Sequence, residues 1–237
     1  MSNSRTQRRR DELRPFHVDT DVAPYAEGSC LISTGNTRIL CTASVEEGLP
    51  RWRAGGADGW VTAEYAMLPR ATHTRTGRER TGARGRTQEI QRLIGRSLRA
   101  VTDLSLLGPR TVTVDCDVLQ ADGGTRTASI TGACIALMLA GDWLVEEGLV
   151  TRSPVLQRVA AVSVGIVGGE VCLDLDYRED SSAQVDMNVV GTEDGRLVEV
   201  QGTAEGDPFT VEQMDVLMGM ARHGLQEIFA LQARALA

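Results

Sequence analysis

The chain has 237 residues, 42% of them hydrophobic and 24% charged, with a formal net charge of −7, a balance that suits a soluble globular protein with a good buried core. Every basic residue is an arginine, because the sequence contains no lysine, and this excludes a P-loop, whose Gly-x-x-x-x-Gly-Lys motif needs one. Five widely spaced cysteines without a Cys-x-x-Cys, and three scattered histidines, argue against a disulfide framework or a zinc site and for free thiols in a reducing compartment.

The chain opens on a polar, basic segment with Arg5, Arg8, Arg9, Arg10 and Arg14 and no apolar run of the secretory kind. The longest uncharged run, 127–141, is too short for a membrane span. A cytoplasmic protein without a membrane is therefore expected. Ser29–Ser33 and Thr37–Val45 read as a hairpin around Thr34-Gly35-Asn36, and Trp60–Met67 as a further strand stopped by Pro69.

Residues 70–85 are polar and aperiodic, which predicts a long loop. Between Arg70 and Arg99 nine arginines stand against Glu79 and Glu89. Such a local field suits a polyanion such as single-stranded RNA in spite of the acidic average; a merely solvated loop is the alternative. Apolar spacing predicts a helix over 88–101, with Ile90, Leu93, Ile94, Leu98 and Val101 on one face. Arg86 stands at or just before its first turn, where the helix dipole disfavours a cation unless an anion is bound. It is therefore a candidate phosphate ligand.

Thr111–Leu119 reads as a strand and leads into Asp122-Gly-Gly-Thr-Arg-Thr127, from which an apolar helix runs over 128–145. Gly123 and Gly124 permit a sharp turn, Thr125, Thr127 and Ser129 suit a helix start, and Arg126 adds a forked permanent cation. Free N–H groups and a positive dipole end would then face the loop, making a small anion site, most simply for phosphate. An ordinary strand-turn-helix junction is the plainer alternative, but it gives no reason for the arginine.

Strands are expected at 159–167, 170–177, 183–190 and 197–201. Thr210-x-x-Gln213 is a capping box opening a helix with Val211, Met214, Leu217, Met218, Ala221, Leu225 and Ile228 inward. Asp174, Asp176, Asp180 and Asp186 fall on what reads as one hairpin, which would bring several carboxylates to one face. Such a group calls for a proton, an arginine or Mg²⁺. A solvated outer sheet face would accommodate Asp174 but suits Asp186, between Val185 and Met187, less well. Strands and helices mix without steady alternation, so the fold class is α+β.

The sequence also resembles the bacterial ribonuclease PH family of phosphate-dependent 3′→5′ exoribonucleases that trim precursor tRNA. The likeness covers nearly the whole chain. It rests on Arg-Pro-Phe at 14–16, Thr-Gly-Asn-Thr-Arg at 34–38, Met-Leu-Pro-Arg-Ala-Thr at 67–72, the arginine-rich run at 84–99, Asp-Gly-Gly-Thr-Arg-Thr at 122–127, Glu-Asp-Ser at 179–181, Val-Asp-Met-Asn-Val-Val at 185–190 and Glu-Val-Gln-Gly-Thr-Ala-Glu-Gly at 199–206.

The resemblance implies one ribonuclease PH-like domain over 1–237, built of two related βαβα-type halves with mixed sheets and helices, and a homohexameric ring, a trimer of dimers. It implies that Arg86, Gly124, Thr125 and Arg126 bind inorganic phosphate. Asp180 and Asp186 would be the catalytic or metal-binding pair for Mg²⁺ or Mn²⁺, and Arg70, Arg75, Arg78 and Arg80 would face tRNA precursors or other RNA 3′ ends. A non-catalytic RNA-binding ring subunit and a metal-dependent hydrolytic nuclease are the competing readings.

Overall fold

Thr37–Glu47 (β3) and Arg110–Gln120 (β5) form the spine of the first sheet, paired antiparallel along most of their length. Both alternate as a half-buried strand should: Val112, Val114, Cys116 and Val118 point into the core while Thr113, Asp115 and Asp117 point away. Phe16–Thr20 (β1) and Gly28–Thr34 (β2) add one edge and Trp60–Met67 (β4) the other, giving the order β1-β2-β3-β5-β4. β4 is parallel to β5, and the crossover that this geometry requires carries Gly85–Arg99 (α1) and the short Leu104–Leu107 (α2). The structure, a computed structural model, describes residues 5, 8–79 and 85–237.

Val159–Val167 (β6), Glu170–Leu173 (β7), Val185–Thr192 (β8) and Leu197–Ala204 (β9) make the second sheet, antiparallel throughout in the order β7-β6-β8-β9. Every residue of β6 is buried, because Thr125–Glu146 (α3) packs on one face and Val211–Ala235 (α5) on the other. This explains why the strand reads as a continuous apolar run. α3 lies between the two sheets, touching β2, β3 and β6. It is long and apolar enough to cross a membrane by length and composition, yet most of it is buried inside the fold. All five cysteines are free and buried, and burial pushes the Cys134 thiol up to about 12.

The α+β expectation holds, with several corrections to its parts. β1, a short half-exposed edge strand, and α2 were not anticipated. α1 begins at Gly85 rather than Gln88, and α3 at Thr125 rather than Ala128. The capping box of Thr210 and Gln213 forms as expected, and α5 buries Leu217, Ala221, Leu225 and Ile228 as expected and Phe229 besides, whereas Val211 is largely exposed. The predicted acidic hairpin does not form: β7 stops at Leu173, a one-turn helix Tyr177–Asp180 (α4) follows, and β6 stands between β7 and β8.

Candidate active site

The loop 122–124 turns on two residues that only glycine can occupy without strain. Gly123 and Gly124 both have positive φ, 75° and 63°. A Cβ on Gly123 would lie 2.6 Å from the Leu175 carbonyl oxygen, and one on Gly124 2.8 Å from Arg14 Nη2. The loop thus packs directly on the backbone that leads into α4. Gly124 itself caps α3, and no side chain caps the helix. Thr125 and Thr127 stand in the first turn, and neither caps it: Thr127 Oγ1 donates to the Gly124 carbonyl at 2.9 Å, and Thr125 Oγ1 accepts from Tyr65 Oη at 3.0 Å. A helix start without a side-chain cap, with Arg126 in its first turn, is what an anion site requires.

Across from this loop stand Asp180, the last residue of α4, and Asp186 of β8. Asp186 pairs with Thr203 and Asn188 with Gln201, so these four side chains share one sheet face. Val185, Met187 and Val189 share the other, against α5. Burial pushes the Asp180 carboxyl above its ordinary range, while Arg126, Arg86 and Arg14 pull it back. Burial also pushes Asp186 up, the Asp180 charge adds to this, and Arg126 opposes it. Glu205 pushes both up. Two mutually repelling carboxylates beside a cation form the centre of the site.

Arg126 Nη1 donates to Gln201 Oε1 at 2.6 Å and lies 3.6 Å from Glu89 Oε1, while Gln201 Nε2 donates to Glu89 at 3.1 Å. Arg86 is exposed at the first turn of α1, and its charge is felt at both Asp180 and Tyr65. Of the four predicted phosphate residues, Gly124, Thr125 and Arg126 lie at one end of α3, the Arg126 charge reaches both aspartates and the Arg86 charge reaches Asp180.

The other acids behave differently. Asp174 is not on a solvated face. It is buried, at φ 53°, and Arg14 Nη2 and Nε donate to it at 2.6 and 3.0 Å. Asp176 is the N-cap of α4 in a capping box with Glu179. Part of the basic N-terminal segment is likewise paired inside the fold, Arg8 with Asp174 and Glu179 and Arg5 with Glu179, while Arg9 and Arg10 pair with Asp11 and Glu170 at the surface. Within the second arginine run, Arg99 stacks on Trp60 at 4.3 Å and Arg96 pairs with Glu199.

Arg70, Arg75 and Arg78 are exposed, and Arg80 falls outside the described residues. Arg70 and His73 line a cleft of about 610 Å³ with Asp122, Asp176 and Arg178, so it flanks the glycine loop. Sequence reasoning missed Thr37, Tyr65, Glu89, Gln201 and Glu205, and it gave Arg14 no part in the site. A marker for two of these lay in the run 199–206, which contains both Gln201 and Glu205.

The comparisons with known proteins agree with this fold. Residues 12–141 match the RNase PH model described as 3′ exoribonuclease family, domain 1. The chain belongs to this family. Residues 157–224 match domain 2 of the same 3′ exoribonuclease family, so the two matches fall on the two sheets with their helices. Among solved structures, rice (Oryza sativa) Rrp46 is similar at 18% identity and a TM-score of 0.79, covering 98% of this chain and 99% of its own. A chain of the Archaeoglobus fulgidus exosome with RNA bound to the active site is similar at 23% identity and a TM-score of 0.77, covering 93% and 89%. A chain of an archaeal exosome core is similar at 22% and 0.76, covering 95% and 89%. At these identities the likeness is one of fold.

Proposed function

We propose that this member of the 3′ exoribonuclease family is a phosphorolytic enzyme. It would use inorganic phosphate to shorten the 3′ ends of precursor tRNA and other RNA, releasing nucleoside diphosphates. The observation that carries the reading is the convergence of Arg126, at a helix start without a side-chain cap, on the Asp180 and Asp186 carboxylates. A hydrolase needs the acids but has no use for a second, dedicated anion site. A ring subunit that only bound RNA would need neither.

In this reading Arg86, Arg126 and the N–H groups of Gly124 and Thr125 hold phosphate in line with the last phosphodiester. Their charge offsets the repulsion between two anions, the main electrostatic obstacle. A phosphate oxygen forms a bond to the phosphorus as the bond from phosphorus to the 3′ oxygen of the preceding nucleotide breaks. That oxygen departs with a proton, and Asp186, whose carboxyl is pushed up by burial and by the Asp180 charge, is the candidate donor. Bond types are conserved, so nucleotide addition from diphosphates is expected as well.

Asp180 and Asp186 also fit a divalent cation. They offer two oxygen-donor groups whose repulsion a cation relieves, and among the described residues no larger cluster of metal-ligating side chains competes. This matches the way Mg²⁺ is held by one or two carboxylates together with substrate phosphate. Mg²⁺ or Mn²⁺ bound there supplies charge stabilisation to the departing oxygen.

Arg70, which lines the cleft that flanks the glycine loop, and the exposed Arg75 and Arg78 are the described candidates for contacting the RNA. We assign the active form to a cytoplasmic homohexamer, a trimer of dimers. The identity of the released nucleotide, with and without phosphate, tests the proposal.

A further inference from the structure

One buried group lies behind the candidate site without facing it. Arg14 is 7% exposed and Asp174 7%. Asp174 accepts from the Arg14 backbone N–H at 2.8 Å, from Nε at 3.0 Å and from Nη2 at 2.6 Å. That leaves Arg14 Nη1 for the glycine loop, where it donates to the Asp122 carbonyl at 2.6 Å and lies 3.5 Å from the Gly123 carbonyl. Thr37, fully buried at the start of β3, grips the same two residues: its Oγ1 donates to the Gly123 carbonyl at 2.7 Å and accepts from the Asp122 N–H at 2.9 Å.

A trans peptide points its C=O and the following N–H in opposite directions. Holding the Asp122 and Gly123 carbonyls on the Arg14 side therefore turns the Gly123 and Gly124 N–H groups away from it. On the other side of the pair, the Asp174 N–H donates to the Ser163 carbonyl at 2.7 Å and the Leu175 N–H to Ser163 Oγ at 3.0 Å. The chain then passes against Gly123 and enters α4, which ends at Asp180. One guanidinium thus ties the loop of the first half to the acid-bearing segment of the second.

Resting on the phosphorolytic reading above, we infer that Arg14 and Thr37 are positioning residues for phosphate: they fix the carbonyls of 122–123 so that the loop N–H groups face the anion, and Arg14, through Asp174, sets that loop against Asp180. Stability alone does not account for the pair. A buried ion pair is often no more stabilising than apolar residues of the same volume, whereas a rigid fork with donors left over after binding a carboxylate can hold two segments in register.

The test is equilibrium dialysis of the full-length chain with labelled inorganic phosphate, alongside RNA affinity and thermal unfolding, for Arg14→Lys and Thr37→Val. Lysine keeps the charge but cannot hold Asp174 and the Asp122 carbonyl together. Both variants are expected to weaken phosphate binding by roughly 10–100-fold, the range commanded by partners that orient ligand groups, with RNA affinity within about twofold of the unsubstituted chain. Should Arg14→Lys fail to fold, Thr37→Val decides the matter. Folded variants that bind phosphate as tightly as the unsubstituted chain, or that lose phosphate and RNA affinity in equal measure, would overturn this inference alone. An unsubstituted chain that does not bind phosphate would overturn the functional reading together with it.

Discussion

Arg126 on α3 and Gln201 on β9 meet across the two halves of the fold, with Nη1 donating to Oε1 at 2.6 Å. A neutral amide orients the guanidinium without cancelling its charge. The Arg126 charge accordingly reaches both Asp180 and Asp186. The candidate site is thus assembled between the halves, with Arg126 and the glycine loop supplied by the first and the acids by the second.

Arg126→Ala removes the cation that would neutralise attacking phosphate. Loss of one donor to developing charge of this kind costs roughly 10²–10³-fold in turnover. RNA affinity, measured separately by filter binding, should change little. Arg126→Lys should fall between the two, because it keeps the charge but loses the fork. Full activity of Arg126→Ala at low phosphate would be inconsistent with the assignment.

The raised carboxyls carry a stability prediction. A group whose pKa is higher in the folded state stabilises the fold below its ordinary value, 3.8 for Asp180 and Asp186, and loses that contribution as pH rises through the folded value. Holding either group in its charged form within the fold therefore carries a cost. Asp186→Asn should therefore abolish activity while raising Tm at pH 7, by about 2–4 °C if the relief is about 1 kcal/mol. Calorimetry showing a lower Tm would refute the picture of uncompensated repulsion.

Asp174 has the opposite sign. Burial alone would raise its pKa, but the charge and hydrogen bonds of Arg14 outweigh burial and hold it below 3.8. Its contribution is present above the ordinary value and is lost as pH falls through the lowered one. Asp174→Asn strands Arg14 in the core and should cost about 3–5 kcal/mol at neutral pH. The gap between variant and unsubstituted chain, followed by urea titration, should narrow on acidification; a constant gap down to strongly acidic pH would count against the pairing.

Gly123→Ala adds a Cβ at 2.6 Å from the Leu175 carbonyl oxygen and at φ 75°. Overpacking of this kind costs about 1–3 kcal/mol, and left-handed backbone adds about 1–2 kcal/mol for a residue with a side chain. The loop can avoid the contact only by leaving α4, so phosphate KM should rise along with the loss of stability. A variant with the same Tm and the same KM would show that the loop tolerates displacement.

Elements whose signal is local were legible in the sequence. β4 and β6 match their expected bounds, 60–67 and 159–167, because Pro69 and the Gly168-Gly169 turn punctuate strongly apolar runs. The capping box of α5 and the tight turn at Gly123-Gly124 before α3 were legible for the same reason. What failed depended on distant partners. Period-2 alternation carried the acidic strand through to Tyr177, but Asp174 turns out of it to meet Arg14, 160 positions away in the chain. The arginines of 5–14 read only as a basic segment for the same reason, since nothing nearby in the sequence reveals that Arg5 and Arg8 pair with Asp174 and Glu179.

The central claim is tested most directly by incubating a precursor tRNA labelled at its 3′ end with the chain and Mg²⁺, with and without inorganic phosphate, and identifying the released nucleotide. Nucleoside diphosphate that appears with phosphate and not without it is the predicted result. Monophosphate released without phosphate, or retained RNA binding with no release at all, would contradict the account.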